Sequence, residues 1–336
     1  MTTVKDNVVK LEPKKTGVDL DKLVKKIQAA YGKDKSMASQ ISTGKHISRP
    51  DKDSDFIVWK NSFWEEMTGV RGIPFGKIVQ IAGKPDSGKS SFACKVAKCA
   101  QDQGYQVLLW DTENKFNKTR FDKYFKGNSE DLLITSSRMI LEGGDQIEKM
   151  VHGFMEEYPD KKLLLIWDSV GATLAKNSAQ DSLLDGKQLA SEAKENKSVL
   201  RALIRLMEQY KNRETNEERI AVLLINQSYA NIGSVGQKES GGQGVEYFSS
   251  IILQLSRKSD LNRVMKGVKV KTGIVSRAKV KKNHLFEGEF SVAEMDIVVT
   301  AGDINRLSEK KIKSSPVASK GSFDDDDEEL LEEDES

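Results

Sequence analysis

Apolar positions in this chain fall into short runs separated by segments with helical spacing. Ile78 to Ala82, Gln106 to Trp110, Leu132 to Thr135, Leu163 to Trp167, Ile220 to Ile225 and Ser250 to Ser256 read as strands. Several are apolar at nearly every position, which marks strands covered on both faces. Between them, Lys89 to about Gln103, Gly144 to Tyr158 and Ala190 to Lys211 read as helices. The alternation predicts an α/β fold with a mostly parallel sheet flanked by helices. Upstream, Leu20, Leu23, Val24 and Ile27 keep the i, i+3, i+4, i+7 spacing of an amphipathic helix. Such a helix has no core of its own, so its stripe calls for burial on its own domain or on a neighbouring subunit. The polar segment after it contains one short extended piece around Ser36 to Ile41. Two stretches carry neither period: Gly171 to Lys187, and the glycine-rich Ser228 to Gly244. Long loops of this kind are functional or disordered. The expected organisation is an N-terminal helix and subunit-linking segment over 1–58, a core over 59–304, and a linker with an acidic tail over 305–336, leaving no room for a further C-terminal domain.

Composition sharpens this picture at three points. No apolar run approaches the roughly 18 to 20 residues that cross a bilayer, and no secretory or lipidation signal opens the chain. A soluble, cytoplasmic protein without a membrane partner is therefore expected. The formal charge of +2 conceals an asymmetry, because Asp324 to Ser336 holds ten carboxylates and no lysine or arginine, which leaves +12 on residues 1–323. A basic body predicts a polyanionic partner, and an acidic tail can compete for the same surface. Cys94 and Cys99, five apart on a predicted helix, read as small buried hydrophobes.

The chemistry is concentrated after the first apolar strand. Gly83-Lys84-Pro85-Asp86-Ser87-Gly88-Lys89-Ser90-Ser91 matches G-x-x-x-x-G-K-[ST] between a strand and a helix, the context in which such a loop wraps phosphates with its backbone N–H groups. Lys89 is placed for the β- and γ-phosphates of ATP and Ser90 for Mg²⁺. A nucleotide-hydrolysing site also needs a carboxylate at a second strand end, and Asp168 closes the run LLLIWD. Glu113, just past the strand ending in Trp110, is the candidate to activate water, with Asp111 as alternative or helper. Gln227 follows another strand and stands at the head of the glycine-rich stretch. Its amide can sense the γ-phosphate by hydrogen bonding and so couple ATP to that loop. Parallel strands deliver these residues to one edge of the sheet.

In their order and spacing these motifs, together with YGKDKSM, GIPFGKIVQIAG, DTEN, LLINQSYANIG, ESGGQGVEYFSS and SRAKVKKNHLFEGEF, resemble the RecA family of ATP-dependent DNA recombinases over roughly residues 18–304. The short length is similar to that of phage-encoded members. The resemblance implies a RecA-like P-loop ATPase core with an N-terminal oligomerisation helix, which hydrolyses ATP with Mg²⁺, forms helical homo-oligomeric filaments on single-stranded DNA, and pairs and exchanges strands with double-stranded DNA. It makes Gly171 to Lys187 and Ser228 to Gly244 the two DNA loops, Ile232 the apolar wedge between base triplets, Lys194 and Arg201 backbone contacts, and Gly241 and Gly242 the glycine pair ending the second loop. It places Lys282 against the ATP of an adjacent subunit. There His284 replaces a second lysine with a titratable imidazole. Arg120 stands where family members stack an aromatic ring on adenine, and a guanidinium plane can stack as well.

Two other readings use the same motifs: a ring-forming RecA-type helicase motor, and a single-stranded-DNA scaffold for which ATP is only an assembly switch. The helicase would bring an N-terminal partner-binding domain and an arginine finger, where this chain shows a helix and a linker.

Overall fold

Buried side chains on the central strands alternate between two cores. Val79, Ile81, Leu164, Ile166, Leu223 and Ile225 face one, while Ile78, Leu163, Leu165, Trp167, Val222 and Leu224 face the other. This is the two-residue period of a strand covered on both sides. The structure, a computed structural model, describes residues 19–30, 50, 52–60, 62–176, 187–213, 215–230, 237–239, 242–265, 267–285 and 293–307. Contacts divide the chain into two units, residues 1–51 with 213–216, and residues 52–212 with 217–336.

The first unit carries helix α1 (Leu20–Ala30). Asp19 accepts a hydrogen bond from the Lys22 amide at 3.0 Å and so caps it. The expected stripe is open to solvent: Leu23 is 43% and Ile27 38% exposed. The extended piece expected around Ser36 to Ile41 lies outside the described residues.

In the second unit the elements follow as β1 (Phe56–Val58), α2 (Phe63–Thr68), β2 (Gly72–Pro74), β3 (Ile78–Gly83), α3 (Lys89–Asp102), β4 (Gln106–Asp111), β5 (Leu132–Thr135), α4 (Ile140–Glu157), β6 (Leu163–Asp168), α5 (Lys187–Gln209), β7 (Ile220–Ala230), β8 (Gln237–Glu239), α6 (Gln243–Phe248), β9 (Ile251–Met265), β10 (Val268–Asn283), β11 (Glu294–Thr300) and β12 (Ile304–Arg306). The main sheet has the order β12-β11-β10-β9-β3-β7-β6-β4-β5. From β9 to β5 every pairing is parallel. From β9 to β12 every pairing is antiparallel. Helix α3 with α2 covers one face, and α4 with α5 the other. The α/β, mostly parallel expectation therefore holds, with an antiparallel extension added on one side.

Several boundaries differ from the sequence reading, each for a physical reason. Helix α4 starts at Ile140, not at Gly144, and runs through Gly143 and Gly144. These glycines are spacers, since a Cβ on Gly143 would lie 2.1 Å from the Trp110 ring. Strand β7 continues past Ile225 to Ala230 because β8 pairs with Ser228 to Ala230, so the described parts of the second expected loop are strand pair and helix start. Strand β9 runs on to Met265, well beyond Ser256, as half of a long hairpin with β10. Cys94 and Cys99 are only half-buried, because they sit at the margins of the α3 face; burial still pushes both thiols up to about 11.

Candidate functional site

Strands β3, β7, β6 and β4 are neighbours, so their C-terminal ends meet at one edge: Gly83 pairs with Gln227, and Asp111 with Asp168. Between β3 and α3 the chain makes a tight loop with Asp86 at φ +57° and Gly88 at φ +98°. Gly83 must lack a side chain, because a Cβ there would stand 2.3 Å from the Leu255 carbonyl oxygen. The loop is held from within, where the Ser87 hydroxyl donates to the Lys84 carbonyl at 2.8 Å. It is also held from β10, where the Ser276 hydroxyl donates to the Ser87 carbonyl at 3.0 Å. Lys84, Pro85 and Asp86 form its exposed crest.

Buried Lys89 donates from Nζ to the Lys84 carbonyl at 2.8 Å. Burial lowers its pKa, against the pull of Asp168, Glu113 and Asp86. Ser90 donates to the Asp168 carboxylate. Burial, with the Glu113 and Asp111 charges adding, pushes Asp168 up to about 6, although Ser90 and Lys89 act the other way.

Glu113 is the most connected of the site residues. Its Oε1 accepts from the Ser169 hydroxyl at 2.7 Å and from Gln227 Nε2 at 2.8 Å. Its Oε2 accepts from Lys115 Nζ at 2.5 Å. Burial alone would raise its pKa, but the three donors prevail and hold it below the usual carboxylate range. Asp111 acts as a brace, accepting from the amides of Lys115 and Phe116 at 3.1 and 2.7 Å. Thr112 ties the same turn to β6: its hydroxyl donates to the Ser169 carbonyl and accepts from the Ser169 amide, each at 2.9 Å. Thr112, Lys115 and Ser169 were not among the residues expected from sequence. The run DTENK on one strand end and the serine next to Asp168 were the available signals.

Beside the loop lies an open groove of about 600 Å³, lined among others by Asp86, Lys89, Ser90, Arg120, Arg257 and Lys271. Arg120 is pinned in it: Nη2 donates to the Ser91 hydroxyl at 2.7 Å, Nε to the Ala301 carbonyl at 3.2 Å, and the guanidinium lies over the Phe125 ring at 5.4 Å. Its in-plane donors are partly spent, so it offers a flat face to the groove. Lys282 is not among the groove's lining residues; its Nζ donates to the carbonyls of Glu246 and Tyr247 at 2.8 and 3.2 Å, at the end of α6. His284 is exposed, with its amide on the Ser250 carbonyl at 2.9 Å.

Lys194 and Arg201 are both exposed on α5, seven residues and about two turns apart on one face. Gly242, at φ +80°, sits against the same helix, where a Cβ would meet the Ala193 methyl at 2.7 Å. The end of the second expected loop thus packs next to Lys194. Ile232 and Gly241 lie outside the described residues. No helix among the described residues is long and apolar enough to cross a membrane.

Comparison with known proteins agrees with this arrangement. The Protein RecA of Ureaplasma parvum serovar 3 is 28% identical over 227 residues, which are 66% of this chain and 61% of that protein. This chain therefore spans less than two thirds of that relative's length. The Protein RecA of Nautilia profundicola is 26% identical over 275 residues, 80% of this chain and 73% of the relative. That of Latilactobacillus sakei is 26% identical over 293 residues, 86% and 74% of the two chains. The family model for the RecA N-terminal domain matches residues 18–304. That span contains the phosphate-type loop, both acidic strand ends and the strand carrying Gln227, and the chain belongs to the RecA family.

Proposed function

We propose that this chain is a DNA-dependent ATPase and recombinase that assembles as a helical filament on single-stranded DNA and carries out homologous pairing and strand exchange. The observation that carries this reading is the 2.8 Å hydrogen bond from Gln227 to Glu113. It connects a carboxylate beside the phosphate loop to the strand that leads into the glycine-rich segment.

The residues fit a magnesium nucleotide. Gly83 and Gly88 let the loop close down on β9 and β11, where Cβ atoms would meet the Leu255 carbonyl oxygen and the Val299 side chain, and the positive end of α3 faces the space the loop encloses. Ser90 and Asp168 offer one hydroxyl and one carboxylate. Among the described residues no cluster of three or more His, Cys, Asp or Glu could hold an ion, which suits Mg²⁺, an ion that keeps phosphate and water oxygens in its shell. When bound, Mg²⁺ neutralises charge that develops on the phosphates. Lys89 leaves the Lys84 carbonyl for the β- and γ-phosphates. Glu113, kept ionised by its donors, orients and takes the proton of the attacking water. Arg120 presents its face to the base. Lys282 reaches the nucleotide of an adjacent subunit, which is consistent with its absence from the groove of its own.

Gln227 has one amide and two claimants, Glu113 and a γ-phosphate. Loss of the phosphate returns it to Glu113 and draws on β7 and the segment beyond. Lys194, Arg201 and Gly242, with Ile232 and Gly241, form the surface for the DNA. Two open edges support assembly. Among the described residues strand β5 ends the sheet, with Leu133 37% and Ile134 44% exposed, and α1 carries its own exposed stripe. An unpaired strand edge with apolar side chains is a template for another chain.

The test is strand exchange between a single-stranded circle and its homologous linear duplex with ATP, combined with electron microscopy. Joint molecules and helical filaments are expected. Closed hexamers with unwinding would replace this reading by the helicase motor, and filaments without joint molecules by the scaffold.

A further inference from the structure

Just beyond Glu113 the chain turns at Asn114, whose φ of +53° is a left-handed conformation that asparagine tolerates. The Asn114 amide closes the turn on the Asp111 carbonyl at 3.3 Å, and the Asp111 carboxylate takes the Lys115 amide at 3.1 Å. The backbone of Lys115 is therefore anchored, while its side chain is 77% exposed. Its Nζ returns over the turn to Glu113 Oε2 at 2.5 Å. With Ser90 and Asp168, these two residues line one cavity of about 80 Å³ between α3 and the sheet. The Lys115 charge is felt across the site. It adds to the burial that lowers the Lys89 pKa, and Asp168 adds to the Glu113 bond that raises its own.

An ion pair whose ammonium stands mostly in water is weakly held. A terminal phosphate is the stronger claimant, because it carries more charge and spreads it over three oxygens during transfer. In P-loop enzymes a further cation that meets this charge, from the same chain or from a neighbour, accounts for much of the rate. Among the nearby cations, Arg120 is held by Ser91 and Ala301 and Lys282 by the carbonyls of Glu246 and Tyr247. Lys89 belongs to the phosphate loop itself. Lys115 is anchored at its backbone, exposed at its head, and already beside the carboxylate that has to act. While it rests on Glu113 it also occupies Oε2, so its departure frees that oxygen for a water.

We propose that Lys115 acts in cis as the charge-stabilising finger of ATP hydrolysis, its ammonium leaving Glu113 for the γ-phosphate oxygens as the terminal phosphoryl group passes to water. The water oxygen bonds to the γ-phosphorus and its proton goes to Glu113. The bond from that phosphorus to the bridging oxygen breaks, and its electron pair leaves with ADP. Lys115 keeps its protons and only donates hydrogen bonds. This inference rests on the ATPase reading of the site.

The test compares Lys115→Ala, Lys115→Gln and Lys115→Arg with wild type at saturating Mg²⁺ and single-stranded DNA. The position is exposed, so all three variants are expected to fold. In the alanine and glutamine variants kcat should fall at least about tenfold with KM for ATP within about threefold. Lys115→Arg, which keeps the charge, should retain more than about half of the turnover. A second readout needs no turnover: affinity for ADP with aluminium fluoride, a mimic of the transferring phosphoryl group, should fall at least about tenfold in the alanine and glutamine variants while affinity for ADP alone is unchanged. A loss of kcat below about threefold in Lys115→Ala overturns the proposal. So does a gain, since the ion pair is then only a latch on Glu113. Recovery of Lys115→Ala on mixing with Glu113→Gln, which lends its lysine and lacks the base, overturns it too, because the finger then serves a neighbour's nucleotide. A wild type that binds no ADP refutes the ATPase reading and the proposal with it, whereas the other outcomes leave that reading standing.

Discussion

Gln227 donates to Glu113 at 2.8 Å across 114 residues of sequence. The same Glu113 oxygen accepts from Ser169, the neighbour of Asp168. Three strand ends are thereby joined through one carboxylate. Gln227→Ala removes the connection and the amide's contact to the γ-phosphate, and leaves the contacts of the loop and Lys89 in place. Its ATP affinity should stay within about threefold of wild type, while the stimulation of turnover by single-stranded DNA should fall at least about tenfold, the size expected for a coupling of 1–3 kcal/mol. Nucleotide titration and steady-state turnover with and without DNA check both halves.

Glu113→Gln keeps the shape and removes the base. Turnover is expected to drop by about 10² to 10⁴, with ATP binding retained. Because Ser169 and Lys115 lose their charged acceptor, a modest fall in stability should accompany it, and urea unfolding separates that from the loss of chemistry.

Asp168 gives a dependence on pH in the metal-free protein. Its carboxyl is raised from 3.8 to about 6, so the folded chain holds the proton more tightly than the unfolded one. The cost of ionising it is complete above pH 6, and relative stability is regained as pH falls from about 6 towards 4; the full span is on the order of 2–3 kcal/mol. Asp168→Asn is free of this cost. Urea unfolding of both proteins without Mg²⁺ or nucleotide should show the variant gaining more on wild type at pH 7.5 than at pH 4.5. An identical difference at the two values would show that burial does not perturb this carboxyl.

Two glycines of α4 should respond oppositely to alanine. A Cβ on Gly143 would stand 2.1 Å from Trp110, which is stacked on Trp167 at 4.1 Å and donates to the Ser137 carbonyl at 2.7 Å. Nothing there can yield cheaply, so Gly143→Ala should cost about 1–3 kcal/mol. Gly153 has open space around it, and Gly153→Ala should gain up to about 1 kcal/mol from helix propensity. Denaturant midpoints of the two variants decide.

The parts of the site that sequence exposes are those where chemistry constrains neighbours. The spacing from Gly83 to Ser90 is set by a loop that must wrap phosphates, and Asp168 ends an apolar run so regular that its place at the sheet edge follows. The supports were hidden because they are remote pairings: Ser276 on Ser87 and Thr112 on Ser169 involve ordinary residues whose meeting depends on sheet order. The antiparallel side of the sheet was the least legible region. The outer part of its β9–β10 hairpin is solvent-exposed and lysine-rich, so burial does not mark it, although the alternation of VKVK from Val268 to Lys271 carries the two-residue period. Helix α4 was cut short because glycine reads as a breaker, whereas Gly143 serves the packing of Trp110.

The central claim is that phosphate chemistry and DNA are coupled through Glu113 and Gln227. It is tested most directly by steady-state ATP hydrolysis of the full chain with and without single-stranded DNA, with Lys89→Ala as the inactive control. The account expects turnover to rise at least about tenfold on adding DNA and to vanish in the control. Turnover unaffected by DNA in a protein that binds both ligands would contradict it.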